Sequence, residues 1–282
     1  MLVAVASIKG SPFVTSVTVA LAARWPVPGA VVVEADPAGG DLAFRFGHRR
    51  EPGLSELAAD TRAGDQGRDL AAYTQRIALG VDVVFAPADQ LVDEPAGPHG
   101  RAPGQCVQVV QMVARNCLGL LRRAAADRLV VVDAGRLDWA SPALPLVCAA
   151  DVLLLATWPG VEAVDAVQVR RDRILALPGM RASVRLVVAG RPPCPVEEIA
   201  AAVGLPVAGQ VPQDQRGAAV LAGRATPAWG WTRLELPRAA RAIALALHAE
   251  DQARTGPGGG RAVPAVLRPP LPKQAAAVVS RP

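Results

Sequence analysis

The segment between residues 7 and 16 carries the residue types that bind a phosphate group. Its sequence is SIKGSPFVTS, and it separates an apolar run from an Ala/Leu-rich run. A phosphate loop needs glycine for a tight turn, a lysine for the phosphates and a Ser or Thr hydroxyl for Mg²⁺. Gly10 supplies a turn glycine, and Thr15 supplies the hydroxyl, with Ser16 as its neighbour. The segment predicts a phosphate or nucleotide site, against the alternative of a β–α turn without a ligand.

Acidic residues follow two other apolar runs. Asp36 and Asp41 come after the run at 30–33, and Asp133 comes directly after the run at 129–132. Ligands of open α/β sheets bind beyond the carboxyl ends of the strands, so these acids are expected near the phosphate segment. A buried carboxylate needs a partner, which favours a functional role for Asp133. For Asp36 and Asp41, turn capping and a functional role are equal alternatives.

Seven apolar, β-branched runs alternate with helix-length Ala/Leu-rich segments. Continuous apolar runs are typical of strands buried on both faces of a parallel sheet. Their alternation with helices predicts an α/β fold with a doubly wound, mostly parallel sheet and helices on both faces. The expected strands are Leu2–Ala6, Ala30–Val33, Asp82–Phe85, Leu129–Val132, Val152–Ala156, Val184–Val188 and Pro206–Gln210, and the expected helices are Thr15–Arg24, Gln105–Ala126, Val161–Leu177, Val196–Val203 and Leu236–Glu250.

One domain and a tail are expected from the 282 residues. The domain covers 1–252, with an irregular excursion at 86–104 that is rich in proline and glycine. The composition of 253–282 predicts a disordered tail. Five basic residues follow the last acid, Asp251, and equal the net charge of +5. This charge predicts weak contact of the tail with nucleic acid or an anionic membrane surface.

The remaining composition excludes other functional classes. The four cysteines and three histidines are scattered without metal-ligand spacing, which disfavours a metal or redox site built on them. No apolar stretch reaches the roughly 18–20 residues of a membrane span. The first residues lack the basic region of a signal peptide, so a cytoplasmic location is expected.

The phosphate segment resembles the deviant loop of the ParA/MinD superfamily of P-loop proteins, K-G-G-x-G-K-[ST]. Lys9 matches the early signature lysine, Gly10 the first glycine and Thr15 the Mg²⁺-binding hydroxyl. Further segments match in the right order over about residues 1–250. Residues 33–41 resemble the D-x-D-P-x-G switch, 130–135 the Walker B strand and 206–214 the late V-x-G-x-I-P-x-D segment.

Five departures distinguish this chain from the family pattern. Ser11 and Phe13 replace the second and third glycines, and Val14 replaces the phosphate lysine. Glu34 stands for the first switch Asp, and residues 189–191 lack the family's base-reading Asn. The resemblance implies that Phe13 crowds the β-phosphate and that Val14 removes a direct cation.

The resemblance also implies cofactors and roles. ATP and Mg²⁺ are the expected cofactors, with Thr15 and Asp133 holding Mg²⁺, the latter through water. Asp36 would order the attacking water, and Lys9 would reach the phosphate of the other subunit in a homodimer. The nucleotide contacts are expected from Lys9, Gly10, Ser11, Thr15, Ser16 and Pro212.

Three functions follow from these implications. The favoured one is a ParA/MinD-like positioning or regulatory protein with a degenerate nucleotide site, acting with a protein partner in partitioning, division-site placement or localisation of secretion or pilus machines. It would act in the cytoplasm or at the periphery of the membrane or nucleoid. The alternative is an active ATPase with a non-standard phosphate loop. An enzyme of another branch, such as a ligase or iron–sulfur reductase, is the least favoured.

Overall fold

The protein is represented by a computed structural model that describes residues 1–10, 13–62, 69–88 and 104–255. Residues 253–255 of the expected tail belong to a helix that ends at Thr255. The rest of that tail, 256–282, and most of the expected excursion, 89–103, lie outside the described residues. The strands are β1 Leu2–Ser7, β2 Val31–Glu34, β3 Gln75–Arg76, β4 Asp82–Val84, β5 Val130–Arg136, β6 Val152–Thr157, β7 Ser183–Ala189 and β8 Val207–Val211. The helices are α1 Val14–Ala23, α2 Leu42–Phe46, α3 Leu54–Arg62, α4 Gln105–Asn116, α5 Leu118–Asp127, α6 Leu144–Ala149, α7 Val161–Leu175, α8 Val196–Val203, α9 Gln215–Leu221 and α10 Glu235–Thr255, with 3₁₀ turns at Leu70–Tyr73 and Trp231–Arg233.

The strands form one twisted sheet in the order β3-β4-β2-β5-β1-β6-β7-β8. Every neighbouring pair is parallel except β3 and β4, which are antiparallel. From β1 the chain extends the sheet in both directions, since β2 and β6 lie on opposite sides of it. This arrangement confirms the predicted doubly wound, mostly parallel α/β fold.

Helices cover both faces of the sheet, and each face has its own apolar cluster. The first cluster joins the sheet to α3 through α8, and the second joins it to α1, α2, α9 and α10. The odd residues Val3 and Val5 of β1 belong to the second cluster, and the even residues Leu2, Ala4 and Ala6 belong to the first. Burial on both faces explains why the strands are continuous apolar runs. Within the described residues, no helix is long and apolar enough to cross a membrane.

The segment 105–126, expected as one helix, forms two. Cys117 has φ −105° and ψ 0°, so α4 ends at Asn116 and α5 begins at Leu118. Asn116, Cys117 and Gly119 all have low helix propensity. The Sγ of Cys117 lies 3.3 Å from the hydroxyl of Thr61 on α3. The prediction of a single helix was wrong because weak helix formers and a tertiary contact coincide at this point.

The carboxylate of Asp214 connects α9 to α10. Its Oδ1 accepts the N–H of Gly217 at 2.8 Å, which caps α9, and its Oδ2 accepts the N–H of Leu236 at 3.1 Å. Both donors are first-turn amides that have no partner inside their own helix. Asp214 thereby fixes the late loop at the carboxyl edge of β8 against the last helix.

Asp214→Ala is expected to lower the free energy of unfolding by about 1–3 kcal/mol, because it removes a cap and leaves two amides without their acceptor. The measurement is urea unfolding followed by circular dichroism. The control is Asp172→Ala, whose 87 % exposed side chain contacts Arg171 and whose loss should change stability by less than about 0.5 kcal/mol. Equal unfolding midpoints for the two variants would contradict the connecting role.

Candidate functional site

The buried carboxylate of Asp133 lies at the bottom of the candidate site. Its side chain is 2 % exposed, and its Oδ1 accepts the N–H of Gly135 at 3.2 Å. The hydroxyl of Thr15, in the first turn of α1, donates a second hydrogen bond to this carboxylate. Burial raises the pKa of Asp133 to about 6; the Thr15 hydrogen bond opposes this rise and the charge of Asp36 adds to it. A bound divalent cation would instead favour the ionised carboxylate.

Asp36 follows β2 and lies beside the end of β5. Its carboxyl group packs on the backbone of Gly135, where a Cβ would overlap it, so this position requires glycine. The Oδ1 of Asp36 also accepts the N–H of Ala38 at 2.9 Å. Burial raises the pKa of Asp36, and the charge of Asp41 acts in the same direction. The fold therefore brings Thr15, Asp36 and Asp133 to one crevice.

The oxygen atoms of this crevice fit Mg²⁺. Hydroxyl and carboxylate oxygens are the donors this cation prefers, and it keeps several waters and phosphate oxygens as ligands. No group of three His, Cys, Asp or Glu residues within the described ranges could hold a metal ion alone. Thr15 and Asp133 would therefore hold Mg²⁺ only together with water and a bound phosphate.

Glu34 has a structural role at this edge. It is 3 % exposed and lies beside Asp133 in the parallel register of β2 and β5. Its Oε1 accepts the N–H groups of Asp41 and Leu42 at 3.0 and 2.9 Å, and its Oε2 accepts that of Ala86 at 3.1 Å. Burial raises its pKa to about 7, the three amides oppose the rise and the charge of Asp133 adds to it. Glu34 thus caps α2 and joins it to the residues after β4.

Asp41 does not cap α2 with its side chain. It stands at the N-cap position without a side-chain capping bond, and its Oδ2 accepts a hydrogen bond from Arg45 Nη2 at 2.8 Å. Capping was one of the two alternatives for Asp41, and Glu34 performs it instead. The Asx-type bond from Ala38 to Asp36 shows that a turn role and a place in the crevice coexist at Asp36.

The phosphate turn keeps its first two expected residues on the surface. Lys9 and Gly10 are exposed, and Gly10 has φ +71°, a left-handed conformation that favours glycine. Ser11 lies outside the described residues. Ser16 is half-buried in the first turn of α1. The side chain of Lys9 makes no hydrogen bond or ion pair to any residue that the structure describes. The role predicted for it therefore stays a prediction.

Val14 and Phe13 occupy apolar surroundings where the resemblance expects a lysine and a glycine. Val14 is 4 % exposed and belongs to the second apolar cluster with Val17 and Leu21 of the same helix. The Phe13 ring meets the Trp158 ring edge to face, with centroids 4.7 Å apart. Val14 therefore packs within the core, and Phe13 packs against Trp158, just after the end of β6.

A cleft of about 510 Å³ opens at the carboxyl ends of β7 and β8. The strand order places Trp158, after β6, between the phosphate turn and this cleft. A Cβ on Gly190 would lie 3.5 Å from the Trp158 ring and 3.4 Å from Gln213 Nε2, so these side chains adjoin. Gln210 donates from Nε2 to the carbonyl of Gly190 at 2.7 Å. The described residues lining the cleft are Gly190, Arg191, Pro192, Gln210, Pro212, Gln213 and Glu235.

The expected site residues thus fall into two groups. Thr15, Asp36 and Asp133 surround the crevice, whereas Pro212 lines the cleft after β8, three strands away from β1. The sequence analysis missed Trp158 and Arg136. Arg136 lies beside Gly10, because a Cβ on Gly10 would be 3.8 Å from Arg136 Cδ. The signal for Trp158 was its position just after the apolar run of a buried strand, whereas Arg136 lies four residues after the run at 129–132.

Comparison with solved structures shows which known fold this is. A ParA family ATPase from Chlorobium tepidum TLS superposes with a TM-score of 0.64 at 15 % identity, over 87 % of this chain and 98 % of that one. The septum site-determining protein MinD complexed with Mg-ADP from Pyrococcus horikoshii OT3 gives 0.63 at 15 % identity, over 89 % and 96 %. An ATP complex of a McdA variant from Cyanothece gives 0.59 at 16 % identity, over 88 % and 96 %. No protein-family model and no curated protein matches the sequence. At these identities the likeness shows the fold, which is that of the MinD and ParA proteins and confirms the resemblance at that level.

The raised pKa of Glu34 predicts a stability that falls as pH rises. Between about pH 4.5 and about 7, the folded protein keeps a proton on Glu34 that the unfolded chain has released. Because of this one-proton difference, the free energy of unfolding falls by at most about 1.4 kcal/mol for each unit by which the pH rises. Glu34→Gln cannot ionise, so its slope over this range should be shallower than that of the wild type.

The measurement is urea unfolding at several pH values, with a chelator present so that no divalent cation binds Asp133. The difference in stability between wild type and Glu34→Gln should shrink steadily from pH 4.5 to 7.5. A difference that stays constant over this range would contradict the raised pKa.

Proposed function

We propose that this chain, which has the fold of the MinD and ParA proteins, is a positioning or regulatory protein that binds nucleotide weakly and hydrolyses it slowly or not at all. Its nucleotide site would extend from the crevice of Thr15 and Asp133 to the cleft at Pro212. The expected cellular roles are partitioning, division-site placement or localisation of secretion or pilus machines. A homodimer and a protein partner belong to this proposal.

One observation carries it: the side chains proposed to hold Mg²⁺ lie together, while the loop lysine position is occupied by a valine in the core. Thr15 is hydrogen-bonded to Asp133 of β5, and Asp36 packs against Gly135 at the end of that strand. Val14 is 4 % exposed in an apolar cluster. A side chain in that position contributes packing and no positive charge.

The energetic consequence differs for binding and for hydrolysis. The loss of one charge-assisted hydrogen bond typically costs about 1.5–3 kcal/mol, which is about one to two decades of affinity. Binding withstands such a loss, since the other contacts remain. Hydrolysis depends on stabilising the charge of the phosphoryl group in the transition state. Weak binding with little turnover is therefore the expected combination.

Thr15→Val should weaken Mg²⁺–nucleotide binding by about tenfold or more, because it removes a Mg²⁺ ligand and the hydrogen bond to Asp133. Isothermal titration with ADP–Mg²⁺ and ATP–Mg²⁺ measures this effect. The matched control is Thr18→Val, one turn along α1. The Thr18 hydroxyl is fully buried and has no hydrogen-bond partner within the described residues, so its removal should leave affinity unchanged. Equal affinities of the two variants, or brisk turnover by the wild type, would refute the proposal.

An active ATPase is the second candidate, and Lys9 favours it. Its ammonium group is exposed, and nothing in the described parts of the chain engages it, so it is free to reach a phosphate held by another copy of the chain. Asp36 would then order the attacking water.

This candidate requires measurable phosphate release by the wild type. Lys9→Ala and Asp36→Ala should each reduce the rate by roughly 10²–10³, the typical cost of removing one group that stabilises a transition state. Thr18→Val again provides the control. A wild type without activity, or variants as active as the wild type, would eliminate this candidate.

The tail from 256 onward lies outside the described residues, so its contact with nucleic acid or a membrane surface stays a prediction. The cytoplasmic location expected from the sequence also stays a prediction.

A further inference from the structure

A bulge at the end of β5 determines the direction of the Arg136 side chain. Val5 pairs with Asp133, and Ser7 pairs with Arg136, so β5 uses three steps where β1 uses two. The extra residue lies at Ala134-Gly135, and Gly135 has φ +59°. A bulge with a left-handed glycine turns the side chain that follows to the other face of the sheet. Bulges of this kind commonly redirect a side chain beside a functional site.

The redirected side chain lies on the face that carries α1. Val5 belongs to the second apolar cluster together with Val14 and Val17 of α1. Ser7 is two residues after Val5 and therefore shares its face. Because residues paired in a sheet point to the same face, Arg136 joins Ser7 on the side of α1. Without the extra residue, alternation from Asp133 would place Arg136 on the opposite face.

The position of Arg136 beside the phosphate turn agrees with this direction. Its Cδ lies 3.8 Å from the Cβ position of Gly10, and the N–H of Leu137 donates to the carbonyl of Ser7 at 2.8 Å, which holds the two strand ends together. Arg136 is exposed, and its guanidinium makes no hydrogen bond or ion pair to any described residue. By contrast, the guanidinium of Arg45, another arginine near the crevice, donates a hydrogen bond to Asp41.

We propose that Arg136 is the cation that binds the terminal phosphates of a nucleoside di- or triphosphate, in place of the lysine that Val14 replaces. This assignment rests on the proposed nucleotide site and names its missing phosphate ligand. A guanidinium group offers a planar pair of donors that matches two phosphate oxygens. Arg136 approaches from the end of β5, so the phosphate is held between it, the Gly10 turn and Thr15.

The test is isothermal titration of two probes, ADP–Mg²⁺ and inorganic pyrophosphate–Mg²⁺, into wild type, Arg136→Ala, Arg136→Lys and Arg115→Ala. Arg136→Ala should bind both probes about tenfold to a hundredfold more weakly, and Arg136→Lys should recover part of the loss. The affinity of the wild type should also fall more steeply with added NaCl than that of Arg136→Ala. All variants should retain the thermal midpoint of the wild type, since Arg136 is exposed.

Arg115→Ala is the matched control. Arg115 is exposed in the last turn of α4, and the first turn of that helix contacts Asp36 through Cys106. Nine residues of helix place Arg115 about 13 Å further from the crevice. Its loss should leave both affinities unchanged.

The outcomes separate this assignment from the proposed function. Equal affinities of wild type and Arg136→Ala for both probes overturn the assignment alone. A wild type that binds pyrophosphate but no nucleotide overturns the proposed function, and Arg136 stays an anion ligand if its removal abolishes that binding. A wild type that binds neither probe overturns both.

Discussion

The parallel register of β1, β5 and β2 places Val5, Asp133 and Glu34 side by side at the buried centre of one sheet edge. Two carboxylates then lie next to each other out of contact with water, and the charge of Asp133 adds to the rise that burial causes in the pKa of Glu34. Different groups donate hydrogen bonds to each of the two carboxylates. Three backbone amides hold Glu34, whereas the Thr15 hydroxyl and one amide hold Asp133. The helices at this edge depend on these bonds, because α1 and α2 both begin at them.

The two acids consequently have different tasks. Glu34 has all of its oxygen atoms directed at backbone groups, so it fixes the position of α2 and of the chain after β4. Asp133 is held by the Thr15 hydroxyl, a group of the type that Mg²⁺ accepts as a ligand. Val14 contributes packing at a position where a lysine would contribute charge. Burying a valine side chain contributes about 1.5–3 kcal/mol to stability.

Much of the fold follows from the sequence because the central strands are buried on both faces. Each of the seven expected strands begins within one residue of its observed start. Each also ends within one residue of its observed end, except β5, which continues to Arg136. Several short elements were not predicted, namely the polar edge strand β3 and the helices α2, α3, α6 and α9. Tertiary contacts determine where such helices begin and end. Helix α2 begins where Glu34 accepts its first amides, and α4 ends where Cys117 contacts Thr61.

For the site, the sequence by itself determined which residues follow the buried strands: Thr15, Asp36 and Asp133 lie at carboxyl ends, and parallel strands bring such ends together. Only the tertiary structure decided where the neighbouring side chains point. Local sequence places Val14 one residue before Thr15 and Arg136 three residues after Asp133. It does not show that the first packs into the core or that a bulge turns the second toward Gly10. Both directions are set by pairing and packing between segments more than 100 residues apart, and no local pattern of residues encodes them.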